Sequence, residues 1–422
     1  MDRLVITDQR RGQLYLIVVK LLDVAARAGF ILAATYALPI SQAGQFGLLT
    51  TLVGLFAFGF NFERHIDIQR RTAGQPYEVF DRYVSSALGF FAFNWVLMVP
   101  LFIGAIVLLA QVSPELIAFA VVIVIGEHLS NQAYFFALIS TRYYPLLLLV
   151  AAKNLVLVGV VLYQALLSGT GLDLGFVLAV WAAGAVLCTA ALALMWLRIR
   201  IAAPRERPFH FAVDILGQHR ASGVHFMLGL IALVILQYDR LAVGALMPLD
   251  QVGLYFRHTV LVSLAYQLFN VVSFNRITPA IFAAAHTHDV AHLRWRVMGE
   301  YGKTLIGAPL LLGLLWLADT LTDGIYAERF DLSLPLIAIM LGGFVLRAAA
   351  DFNALILNAL HRERVVLRYQ TMAFAVGAVV LAILTWKFGV YGAATALVIT
   401  SGLYLVLVAK RVFRLTGKGV RA

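Results

Sequence analysis

Apolar stretches long enough to cross a bilayer recur along the chain, separated by short polar or charged connections. Twelve can be drawn, at 13–38, 43–62, 83–110, 115–140, 145–167, 174–197, 222–246, 251–275, 302–322, 334–360, 367–386 and 391–409. In hydrocarbon a segment must satisfy its own backbone hydrogen bonds, so runs of this length predict transmembrane helices. The stretch 145–167 is the weakest, because Lys153-Asn154 interrupts it. The first apolar run is long and lacks a small-residue cleavage site, so no cleavable signal peptide is expected.

The pattern also repeats. Residues 32–61, moved forward by 209 positions without a gap, fall on 241–270 with eleven of thirty pairs identical. Leu, Val and Ala matches are cheap between apolar segments. Pro39/Pro248, Gln42/Gln251, Gly44/Gly253 and Asn61/Asn270 are not. Two related halves are therefore expected, each opening with the same helix–turn–helix. The boundaries expected are 1–200 for the first lobe, 201–221 for a cytoplasmic linker and 222–422 for the second lobe. Internal duplication in a membrane protein points to a transporter with a site between the halves. Six spans per half is an even number, so the second half re-enters with the orientation of the first. The fold expected is all-α integral membrane: twelve transmembrane helices in two parallel six-helix lobes around a central cavity.

Composition agrees with this pattern. Sixty-two per cent of residues are apolar and 13% charged, and the mean hydropathy is +0.88. A soluble domain of this length could not cover so much apolar surface. The net charge of +11 would suggest nucleic acid in a soluble protein. Here it sorts across the membrane instead: of the 33 Lys and Arg, 25 lie on one side of the twelve spans, and only Arg329 and Lys387 on the other. The positive-inside rule puts both termini and the long loops in the cytoplasm. The basic loops are explained by topology and by contact with anionic headgroups, not by nucleic acid. Cys188 is the only cysteine, which excludes an intramolecular disulfide and a cysteine-based metal site. No phosphate loop, nucleotide fingerprint or HExxH is present, so neither a cofactor, a metal nor an enzyme activity is expected.

The candidate chemistry lies in charges inside the spans, where each costs about 2–3 kcal/mol to insert. Asp23 and Arg27, and likewise Arg347 and Asp351, stand four apart on one helix face and can pair. Such pairs either neutralise themselves for insertion or serve transport; their spacing leaves both open. Glu127, Asn131 and Tyr134 share a face of the fourth span. Asp239 and Arg240 are adjacent, about 100° apart on a helix, and cannot simply cancel. With Arg257 and His258 in the eighth span, the interior is Arg-rich, which suits an anionic substrate, because the guanidinium fork matches phosphate oxygens. Lys20 and Lys153 are within snorkelling reach of the interface, which weakens the excess. Arg27, Arg240, Arg257, Arg347 and Asn131 are thus the substrate-binding candidates. Asp23, Glu127, Asp239 and Asp351 are the ion-coupling or ion-pair candidates.

Three patches carry a resemblance. Asp239–Tyr255 (DRLAVGALMPLDQVGLY) resembles the span 7–8 signature of bacterial polysaccharide flippases of the multidrug/oligosaccharidyl-lipid/polysaccharide (MOP) exporter superfamily. Leu38–Gly47 resembles the matching span 1–2 turn, and Phe388–Ala396 resembles the start of the family's last span. Two departures stand out. Asn61-Phe62-Glu63 replaces the usual glycine-leucine turn after span 2. The extra spans typical of the lipid II flippase branch are missing, which disfavours that branch. The resemblance implies two six-helix lobes arranged as a V. It implies export of an undecaprenyl-diphosphate-linked oligosaccharide by alternating access, driven by H+ or Na+, with no covalent step. Its partners would be that substrate and membrane lipids, with the protein acting as a monomer. A MATE-like drug or metabolite antiporter of the same superfamily is the alternative, and an acidic cavity would favour it. A surface-glycan polymerase or ligase would need a sizeable outer loop with paired catalytic residues, which the short outer connections do not supply.

Overall fold

The computed structural model describes residues 2–72, 77–139, 143–166, 172–202, 215–269, 273–285, 290–326 and 333–416. Among these, regular structure is helical throughout. The first half comprises α1 (Asp2–Ala37), α2 (Ile40–Asn61), α3 (Arg64–Thr72), α4 (Tyr77–Ala105), α5 (Pro114–Ile139), α6 (Tyr144–Leu166) and α7 (Leu174–Ala202). The remainder comprises α8 (Ile215–Leu246), α9 (Leu249–Phe269), α10 (Asn275–Ala285), α11 (Val290–Tyr326), α12 (Leu334–Ala359) and α13 (Glu363–Thr416). Over the described residues the predicted spans fall on helices, the last two of them both on α13, and eight of the described helices are both long and apolar enough to cross a membrane. The protein is a multi-pass membrane protein.

The repeated turn is built twice from the same bonds. In the first copy the N–H of Leu38 donates to the carbonyl of Ala34 (3.0 Å), and that of Ala43 to Pro39 (2.8 Å). In the second, 209 residues on, Met247 donates to Val243 (2.9 Å) and Val252 to Pro248 (3.1 Å). Proline has no N–H to continue the first helix but is well placed before the first turn of the next. Of the conserved pairs, Asn270 lies outside the described residues, as do 203–214 of the expected linker. The chain divides into two compact units at Leu233/Val234, inside α8.

Three local features follow from chain chemistry. Within α13 the helical conformation breaks at Gly389 (φ 57°, ψ −139°), and a Cβ on Gly392 would run into the carbonyl of Leu384. Glycine is needed at both positions, so the glycine-rich start of the last span is a tight return of the chain. The Asn61-Phe62-Glu63 turn takes the opposite course: Phe62 (φ 49°) and Glu63 (φ 54°) are both left-handed without being glycine. Side-chain packing holds them there, since Phe62 stacks on Phe226 with ring centroids 3.9 Å apart. Outward faces are apolar, with Val96, Leu108 and Trp386 each three-quarters or more exposed, as lipid contact requires.

Candidate functional site

Unit 2 contains a cavity of about 320 Å³ walled by α8, α9, α12 and α13. Asp239, Arg240 and Arg347 line it, with Gln237, Ser263 and Tyr266. Arg240 donates from Nη1 to Gln237 Oε1 (2.8 Å) and from Nη2 to Ser263 Oγ, while its Nε has no hydrogen-bond partner. Asp239 accepts from the hydroxyl of Tyr255 (2.7 Å), and its second oxygen, Oδ1, is buried without a partner. These adjacent residues do not pair with each other. Arg347 does pair on its own helix, its Nε 3.1 Å from each oxygen of Asp351, and its guanidinium lies 4.9 Å above the ring of Tyr404. Tyr266 donates to the same carboxylate (3.3 Å). Asp351 is not among the residues lining the cavity.

Unit 1 holds its charges differently. Glu127, 3% exposed, accepts from Lys153 Nζ (2.6 Å) and Trp181 Nε1 (2.9 Å) through Oε1, and its Oε2 lies 3.7 Å from Arg27 Nη2. Asp23 accepts from Lys20 Nζ (2.9 Å) and Asn154 Nδ2 (2.7 Å). Two expectations are corrected here. Asp23 and Arg27 share a face but do not pair with each other: Asp23 takes Lys20 on its own helix and Asn154 of α6, which packs along α1, and Arg27 reaches Glu127 of α5. Lys153 does not snorkel: it is 7% exposed and turned inward onto Glu127. The Lys153-Asn154 pair that made this span look weak is the polar stripe by which α6 engages α1 and α5. Asn131 is half-buried, beyond this network. Arg257 and His258 are buried in α9; His258 Nε2 accepts the N–H of Ser333 (2.8 Å) and so caps α12. Arg257 is not among the cavity-lining residues.

A titratable cluster sits at the end of α2. Glu63 Oε2 lies 3.3 Å from His65 Nδ1, which also meets Asn61 Nδ2 at 2.9 Å, and the His65 ring stacks on Phe135 at 3.6 Å. Burial pushes the Glu63 carboxyl up to about 7 and the His65 imidazole down to about 4. A neutral imidazole nitrogen accepting from an amide or a carboxylic O–H suits both shifts.

Several members of these networks left no mark in the sequence. Ser263, Tyr266 and Trp181 sit in apolar runs at spacings no motif picks out. Tyr255 was visible only as the last residue of the span 7–8 signature.

No family model matches the sequence, and no curated protein matches it. Solved structures are similar, among them the following three. A lipid II flippase, MurJ, in its inward closed conformation gives a TM-score of 0.69 at 13% identity, over 95% of this chain and 90% of that one. An inward-facing multidrug resistance MATE family transporter of the MOP superfamily gives 0.67 at 14%, over 94% and 96%. The eukaryotic MATE transporter AtDTX14 gives 0.57 at 13%, over 97% and 99%. At such identities the likeness speaks to architecture and does not choose between flippase and antiporter. Taken with the helical topology, it shows that this chain has the all-α fold of MOP-type membrane transporters.

Proposed function

We propose that the protein is an inner-membrane flippase that moves a polyprenyl-diphosphate-linked oligosaccharide from the cytoplasmic to the periplasmic leaflet for surface-polysaccharide synthesis. One observation carries this reading: the cavity of unit 2 is walled by Arg240 and Arg347 against the single carboxylate of Asp239. Asp351 holds Arg347 from behind the wall, but Arg240 forms no ion pair among the described residues, and two lining guanidiniums against one lining carboxylate favour an anionic headgroup whose diphosphate oxygens match the guanidinium fork. An antiporter of lipophilic cations would call for the opposite sign, so the cavity argues against the alternative. Arg27, Arg257 and Asn131 remain substrate candidates, and Asp239, whose Oδ1 is free, is the strongest candidate for coupling to H+ or Na+. The termini are cytoplasmic in this reading.

The test is a deletion strain. Loss of surface glycan, with lipid-linked repeat units accumulating in the cytoplasmic leaflet, is the expected result. Restored export by wild type but not by Arg240→Ala at equal protein level ties it to the cavity. Normal glycan with a changed drug susceptibility would sink the proposal in favour of the antiporter.

A further inference from the structure

A second cavity of about 210 Å³ lies in unit 2 between α11, α12 and α13, away from the residues of the first. Val297, Met298, Phe352 and Leu405 make most of its wall apolar, and Arg294 and Asn353 add polar groups. The guanidinium of Arg294 is 4.6 Å from the ring centroid of Phe413. That contact orients the cation but does not neutralise it, and among the described residues no carboxylate pairs with it. Glu300, farther along α11, already binds Lys303 at 2.7 Å. The same stretches of α11 and α13 are rich in cations, with Arg296 on α11 and Lys410, Arg411 and Arg414 on α13. Arg411 Nε is buried without a hydrogen-bond partner.

This face meets the bilayer. Met298 is 50% exposed and Phe413 62%, and the basic residues mark the end of the unit that charge distribution places in the cytoplasm. An apolar groove at headgroup depth with an uncompensated guanidinium at its mouth is complementary to one acyl chain under one acidic phosphate. A zwitterionic headgroup carries its own cation and would leave the site positive. We propose that this groove is a binding site for an anionic phospholipid, with a chain between α11 and α13 and the phosphate on Arg294. The site does not depend on the transport reading, because none of its residues lines the cavity proposed to receive substrate.

The experiment uses the purified full-length protein in detergent. Retention of phosphatidylglycerol and of phosphatidylethanolamine with identical chains is compared by native mass spectrometry. Wild type should hold phosphatidylglycerol about tenfold better. Arg294→Gln should abolish that preference. Ala409→Phe, which fills the groove, should weaken both lipids, and it decides the matter if Arg294→Gln does not fold. Equal retention of the two lipids by wild type would overturn the proposal. So would an unchanged preference in Arg294→Gln, or unchanged phosphatidylglycerol retention in Ala409→Phe.

Discussion

The two copies of the repeat share a backbone and differ in what they line it with. Phe30 and Phe46 in unit 1 stand at the positions of Asp239 and Tyr255 in unit 2, 209 residues on. In unit 1 the pair is an edge-to-face aromatic contact, with ring centroids 6.1 Å apart. In unit 2 it is a hydroxyl donating to a buried carboxylate at 2.7 Å. Leu48-Leu49 in the first copy likewise becomes Arg257-His258 in the second. Gln42 caps α7 by accepting the N–H of Leu174 (2.8 Å), while its counterpart Gln251 is exposed. The turn is retained because proline and its flanking bonds dictate it. The lining is free to change because a bonded polar pair can replace an apolar pair of similar shape at little net cost. Unit 1 ties its carboxylates into partners, Glu127 to Lys153 and Arg27 and Asp23 to Lys20 and Asn154. Unit 2 leaves Asp239 Oδ1 and Arg240 Nε unfilled beside a cavity, which makes them available.

The largest expected effect tests the structural half of that contrast. Lys153→Met strips Glu127 of its closest cation and should lower stability by about 3–5 kcal/mol, seen as lost yield and a lower Tm. Adding Glu127→Gln should recover much of the loss. An unchanged Tm for the single variant would break the comparison.

Next comes the functional half. Arg240→Ala should cost about 1.5–3 kcal/mol of substrate binding, read as impaired glycan export at a wild-type protein level, with Arg240→Lys restoring only part. Arg347→Ala should be relieved by Asp351→Ala, since the two pair. Arg27→Ala should not be relieved by Asp23→Ala, since they do not.

A smaller effect sharpens the matched positions. Tyr255→Phe removes the donor to a buried carboxylate and should lower stability by about 1–3 kcal/mol. The double variant Asp239→Asn/Tyr255→Phe should lose less, measured as Tm in detergent. Equal losses would mean that the hydroxyl does not serve Asp239.

The smallest is a pH dependence at the end of α2. Glu63 is raised from 4.5 to about 7, so its neutral form is favoured in the fold, and its contribution falls as pH rises through that window. His65 is lowered from 6.5 to about 4, so its contribution is lost as pH falls through that one. The two slopes oppose each other between about 4.5 and 6.5, and Glu63 alone acts from there to about 7. Glu63→Gln should remove the fall near neutrality and steepen the rise below it. A Tm–pH curve unchanged by the substitution would show that Glu63 is not held neutral.

The sequence by itself determined the membrane class, the helical spans, the doubled turn and the inventory of embedded charges. These are properties of the local chain: span length, hydropathy, and the missing N–H of proline act wherever the segment sits. It also exposed Asn61-Phe62-Glu63 as a departure, without showing that two of those residues are left-handed and that Phe226 holds them. Only the tertiary structure decided which charge meets which. Spacing made Asp23 and Arg27 as good a pair as Arg347 and Asp351, yet α6 supplies Asn154 to the first carboxylate and α1 delivers Arg27 to Glu127. Lys153 looked like a flaw in its span and is a buried cation. A pairing energy depends on the distance between atoms hundreds of bonds apart along the chain, and helix packing alone sets that distance.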